Sequence, residues 1–345
     1  MGMILQIIGA ITLLVIAVLA LIAFVLFRKW KSFSNQLSAT PINPTRIDLQ
    51  PDPNPQWLQD RAVQQDIQAL ERLGFARGKA YTIEQMPGVF LASLCHPEHR
   101  LIACLYQHEA VGLFADLVAE LADGRELTVT NAPMGAEIDT RPESEKIFLT
   151  NATVTDLFEE MQRRSEGLPL QAVSNEGFAS QFETAYHKDM TWRAERGGVS
   201  EAEVRRVAIQ QGEGHDEEAI QTAMQRTKLQ EIEQWESECL ASFEDSTDLS
   251  VREWKHFQET MFIFRDDFHA PAFAEYLADK GLLEEDEALE EMIKGRSAAL
   301  SARVLLNRIE EDADCRLHRL GSVSSPITAE IYGVEETASN TRLTA

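Results

Sequence analysis

The first 27 residues constrain this chain more than any other segment. From Met3 to Phe27 there are 25 consecutive residues without a charge, and only Gln6 and Thr12 among them are conventionally polar. As a helix rising about 1.5 Å per residue, this run is long enough to cross a hydrocarbon core of roughly 30 Å with some tilt. A cleaved signal peptide carries its basic flank before a shorter apolar run. Here Arg28, Lys29 and Lys31 follow the run instead. The pattern therefore predicts a single transmembrane anchor with its basic flank over residues 1–31. Cations beside a membrane span stay cytoplasmic, so the N-terminus is expected outside and residues 28–345 in the cytoplasm of an inner or plasma membrane. Four scattered cysteines, Cys95, Cys104, Cys239 and Cys315, fit a reducing compartment.

Residues 32–54 carry Pro41, Pro44, Pro51 and Pro53 with little apolar periodicity and read as a proline-rich tether. Beyond it the plan is α+β. Residues 55–173 are expected to form an antiparallel-sheet domain with flanking helices. Asn54-Pro55 resembles a helix start, and apolar residues from Trp57 to Leu73 recur at helical spacing before Gly74. Two apolar stretches around residues 89–94 and 101–106 then read as strands. Val111 to Leu121 alternates strictly, and Asp123-Gly124 supplies a hairpin turn to the next strand. A short strand is expected at Ile147–Leu149, followed by a helix that Thr153 and Asp156 cap together.

From residue 174 to 320 the strand signal ends and an acidic all-α module is expected. Phe178, Phe182, Tyr186 and Met190 are four apart and mark one helix face. Ser200 with Glu203 forms a capping box, and Asp216 can cap a long helix. Trp254, Phe257, Met261, Phe264 and Phe268 form a three-and-four seam that reads as helical. Residues 321–345, rich in Ser, Thr and Ala, are expected to form a flexible tail.

Chemistry-bearing residues are few. Cys95-His96-Pro97-Glu98-His99, with Cys104 and His108 nearby, offers zinc-type donors. In a hairpin with Cys95 opposite Arg100, the two thiols stand four strand positions apart and only His96 and His99 converge, so these two are the metal candidates and exposed turn histidines the plainer reading. His187, then His215-Asp216 and a later Asp248 or Asp266, resembles in order the helical metal-dependent phosphohydrolases that hold an ion with His, His-Asp and Asp. The resemblance stops at those residues and implies an ion held by His187, His215 and Asp216; in the family an apolar helix leads into the His-Asp pair, whereas Gly212-Glu213-Gly214 precedes it here. Trp192, Arg193 and Arg196, before Gly197-Gly198, could mark a partner contact. No phosphate-binding loop, dinucleotide fingerprint, nucleophile elbow, zincin motif or EF-hand loop occurs, so no cofactor is expected.

The charge balance is strongly acidic: 32 Lys and Arg against 56 Asp and Glu, net −24. That excludes nucleic acid, whose phosphates demand basic surface. Residues 231–292 alone hold 19 acids and 4 bases. Such a face predicts a protein partner with a basic surface. The expected function is thus a single-pass, membrane-anchored interaction or assembly protein, held to the membrane through residues 3–27. A membrane-tethered metal-dependent hydrolase and a small-ligand sensor in the sheet domain are the alternatives.

Overall fold

The computed structural model describes residues 43–336 apart from 110, 211–215, 285, 287, 288, 291, 292, 294–299 and 312–314. The expected anchor and its cations Arg28, Lys29 and Lys31 lie outside the described residues, as does most of the tether. Among the described residues no helix is long and apolar enough to cross a membrane.

The chain is mixed α/β, dominated by one large and mostly antiparallel sheet. Its seven strands run in sequence order: β1 (Leu49–Pro51), β2 (Ala76–Ile83), β3 (Val89–His96), β4 (Leu101–His108), β5 (Gly112–Glu120), β6 (Glu126–Thr130) and β7 (Ser144–Phe148). All neighbours pair antiparallel except β6 and β7, which are parallel, with Thr128 opposite Lys146. The loop from Asn131 to Glu143 returns the chain to the end where β6 began, so β7 enters in the same direction.

Alternation sorts the two faces of this sheet. Leu105, Ala115, Leu117, Leu127 and Val129 point to one face and pack against helices α1 (Arg61–Arg72) and α2 (Val154–Ser165). Val63, Ile67 and Leu70 supply the α1 side, and Leu157, Phe158 and Met161 the α2 side. Helix α2 starts where its sequence predicts: Thr153 Oγ1 accepts from the Asp156 amide, and the Asp156 carboxylate accepts from the Thr153 amide. Helix α1 starts later than expected. Residues 56–59 form a 3-10 turn, and Asp60, not Asn54, caps the helix by accepting from the Ala62 amide at 2.8 Å.

The opposite face of the sheet meets α3 (Phe178–Glu195), which leads through Gly197 and Gly198 into α4 (Glu201–Gln210) and the 30-residue α5 (Glu217–Ser246). The remaining elements are α6 (Val251–Phe257), β8 (Phe262–Phe264), α7 (Ala270–Asp279), α8 (Ala302–Glu311), β9 (Cys315–Val323) and β10 (Ala329–Glu336). The module expected to be all-α therefore contains a three-stranded antiparallel sheet, ordered β8-β10-β9. The spacing of Phe264 predicts a helical seam, but Phe262, Ile263 and Phe264 are all buried in a strand facing β10. The expected tail is corrected in part: residues 321–323 end β9 and residues 329–336 are β10, with Val323, Ile331 and Val334 in the core, while residues 337–345 lie outside the described residues.

Two further corrections fall in the sheet domain. Part of the expected tether is structural, because Ile47 and Leu49 are buried and Leu49 pairs with Ile83. The β3–β4 register also differs by two residues from the expected one: Cys95 faces Ile102, and Cys104 faces Ser93.

Candidate functional site

The sheet face toward α3 differs from its partner in kind. Where the centre of the other face is an apolar cluster, this one carries Cys104 and Tyr106 on β4, Asp116 and Glu120 on β5, Glu126 and Thr128 on β6, and Ser144 and Lys146 on β7. Helix α3 covers it incompletely, which leaves a cavity of about 470 Å³. That volume lies within the range of small-molecule sites. The apolar stripe Phe178, Phe182 and Tyr186 lines the α3 side, with Ala185 and the exposed Lys188 toward the mouth. Phe178 is fully buried against Tyr81. A second cavity of about 380 Å³ shares Thr140, Lys146 and Asp189 with the first and continues toward Trp192 and Arg193.

Asp116 is the centre of the cleft. Its residue is 7% exposed, one carboxylate oxygen lies 3.5 Å from Lys146 Nζ, and the other, Oδ1, is buried with no hydrogen-bond partner. An unpartnered buried carboxylate oxygen costs folding energy, so it marks a place where something else completes the bonding. Tyr106 and Cys104 stand beside it. Burial, then the charges of Cys104 and Asp116 and the hydroxyl's hydrogen bonding to both, pushes the Tyr106 phenol well above its ordinary range, and burial with Asp116 raises the Cys104 thiol. Both keep their protons, and Cys104 is no thiolate nucleophile. Tyr106 stacks on Phe114 with ring centroids 4.6 Å apart.

Two further carboxylates of the lining, Glu126 and Asp189, share one cation. Arg141, itself buried, bonds Glu126 at 2.6 Å and also Asp189 on α3. Burial raises the Glu126 carboxyl above its usual range despite that arginine. Glu120 accepts from Gln171 at 3.1 Å. Lys188 acts on Glu126 only through space.

The residues singled out from sequence lie elsewhere. His96 is not an exposed turn histidine: it is buried, its Nε2 sits 3.1 Å from the Leu73 carbonyl, and its ring stacks on Phe158. His99 is exposed and packs edge-on against His96 at 4.5 Å. Among the described residues no three His, Cys, Asp or Glu side chains gather as metal ligands. His187 faces the Thr45 carbonyl at 3.2 Å, and Asp216 caps α5 by accepting from the Ala219 amide. His215 lies outside the described residues. Trp192 carries Arg196 over its ring at 4.5 Å, and Arg196 pairs with Asp139 and with the fully buried Glu203. Burial works against the Glu203 carboxylate, but bonds from the Ser200 and Asp139 amides and from Arg196 hold its pKa below the ordinary value. Arg193 donates to the Asp139 carbonyl at 3.4 Å. The two arginines thus bind α3 to α4 and to the 131–143 loop within the chain.

Sequence reasoning missed the cleft, although one signal was available. In β5 the residues opposite the Leu113-Ala115-Leu117-Ala119 core stripe are Phe114, Asp116, Val118 and Glu120, and a carboxylate between two large apolar residues breaks that second stripe. No protein-family model, curated protein or solved structure matches this chain.

Proposed function

We propose that this chain is a membrane-tethered cytoplasmic binding module whose sheet–α3 cleft takes a small polar ligand. The unpartnered Asp116 Oδ1, buried at the wall of a 470 Å³ cavity, carries this reading. Its N-terminal segment, residues 3–27, is the membrane anchor, and Arg28, Lys29 and Lys31 orient it with the N-terminus outside. Helix α3 connects recognition to the rest of the body. Its first turns close the cleft, and its last turn is bonded through Arg193 and Arg196 to Asp139 and Glu203.

The same body presents a docking face to a basic protein partner. Glu233 and Asp279 are exposed where α5 meets α7, with Glu275 nearby and Glu236 paired to Lys280 at 2.8 Å, and burial followed by the like charges of Asp279, Glu236 and Glu275 raises the Glu233 pKa. A cationic partner relieves that repulsion and is steered by it. Ligand-dependent assembly at a membrane surface unites both features.

The cleft reading is tested with Ala185→Trp, which fills the cavity from the α3 side. Purified full-length chain in detergent, after exhaustive dialysis, is expected to gain thermal stability when the dialysable fraction of a cell extract is returned. Ligand binding to the folded state alone raises stability by mass action, about 2.7 kcal/mol at a hundredfold excess over Kd. Ala185→Trp should abolish the gain. An equal gain in wild type and variant, or none in the wild type, sinks the reading.

A further inference from the structure

We infer that the cleft ligand is a neutral polyhydroxylated molecule, of sugar or polyol chemistry, held by a hydroxyl bridging Asp116 and Lys146. The inference rests on the cleft being the ligand site and adds the class of ligand.

Charge pairing on the floor decides the class. Lys146 already stands against Asp116, and Arg141 against Glu126 and Asp189. An anionic ligand would enter among Asp116, Glu120, Glu126 and Asp189. A cationic one would set a like charge against Lys146 at Asp116, and an anionic one would add to carboxylates already in excess of the cations beside them. A neutral ligand disturbs no pair.

The unmet requirement is one hydrogen-bond donor for Asp116 Oδ1. A hydroxyl supplies it and can accept from Lys146 Nζ with its own oxygen, so one group completes both partners of a 3.5 Å pair. Thr128, Ser144 and Gln181 place further donors and acceptors around the same space. Tyr106 and Phe182, 6.4 Å apart between ring centroids, form an aromatic wall suited to the C–H face of a sugar ring. Dense neutral hydrogen-bonding groups beside aromatic faces are the complement of a polyol, whose own surface alternates hydroxyls with C–H patches.

Calorimetric titration of the dialysed full-length chain in detergent tests the assignment. The neutral probes are D-glucose, D-galactose and myo-inositol; the charged probes are L-glutamate, L-lysine and inorganic phosphate. At least one neutral probe is expected to bind. Asp116→Asn should weaken it at least about tenfold, as loss of a hydrogen bond to a charged group does, whereas Val251→Ala, at the exposed start of α6 and outside the cleft, should change it less than about twofold. Should Asp116→Asn fail to fold, Ala185→Trp serves in its place and should abolish neutral binding. Binding of a charged probe alone, lost in Ala185→Trp, overturns the polyol class and leaves the cleft as the site. Neutral binding untouched by both variants overturns the class and the site together. Absence of any neutral binding to the wild type overturns the class, and the stability gain from the dialysable fraction then decides the site separately.

Discussion

Replacing Glu231 with Ala is expected to destabilise the full chain by about 3–5 kcal/mol, the cost of leaving a buried charge without its partner. Glu231 is 3% exposed and Lys228, one turn earlier on α5, is 7% exposed. Lys228 Nζ donates to Glu231 at 2.8 Å and to the Gly197 carbonyl, and the Val199 amide donates to the other carboxylate oxygen at 2.7 Å. Burial raises the Glu231 pKa, and the bonds from Lys228 and Val199 work against that rise. Truncation therefore removes the counter-charge of a buried ammonium and orphans a backbone N–H at once. Gly198 is built around this carboxylate: its φ is +81°, and any Cβ there would collide with the Glu231 side chain. The double variant Lys228→Met, Glu231→Leu should recover most of the loss, because apolar residues of similar volume often replace a buried pair at little cost. Denaturant unfolding measures both. A loss below about 1 kcal/mol for Glu231→Ala would contradict the pair's assigned role at the α3–α4 junction.

The second large effect concerns the proposed anchor. Placing arginine at Leu14 and at Val18, near the centre of the 25-residue uncharged run, should release the full chain from membranes. Each arginine at a helix centre costs about 2.5–3.5 kcal/mol on insertion scales, so the pair removes roughly 5–7 kcal/mol of insertion free energy. Sedimentation after carbonate extraction is the readout, with wild type in the pellet and the variant in the supernatant. Wild-type chain in the supernatant contradicts the anchor. Conversion of Arg28, Lys29 and Lys31 to Glu leaves the run apolar and should instead disturb orientation, read by protease protection of the C-terminal body.

What the sequence revealed was local. The alternation from Val111 to Leu121, the Asp123-Gly124 turn, the Thr153–Asp156 and Ser200–Glu203 caps and the Asp216 cap are each settled within a few residues, and each has its expected geometry. What escaped was settled at a distance. Strand β2 reads Ala-Arg-Gly-Lys-Ala-Tyr-Thr-Ile, too basic at its start to announce a strand. Strands β9 and β10 mix His, Arg and Glu with apolar residues, and their identity comes from pairing with each other and with Phe262–Phe264. The helical spacing of Phe257, Met261 and Phe264 is accidental, since all three are buried but Phe257 ends a helix, Met261 immediately precedes β8 and Phe264 ends it. The cleft has the same character. Asp116 stands out in its strand, but Lys146 reaches it only because β7 lies parallel to β6. Arg193 and Arg196 read from sequence as a partner contact, and their acceptors within the chain, Asp139 and Glu203, come from other elements.

Hydrogen–deuterium exchange on the full-length chain, with and without the dialysable fraction that stabilises it, tests the central claim most directly. Ligand in the cleft is expected to slow exchange in β5, in β7 and along residues 178–189 of α3, and to leave these segments unchanged in Ala185→Trp. Protection confined to the His96–His99 hairpin or to the α5–α8 body, with the cleft segments unaltered, would contradict it.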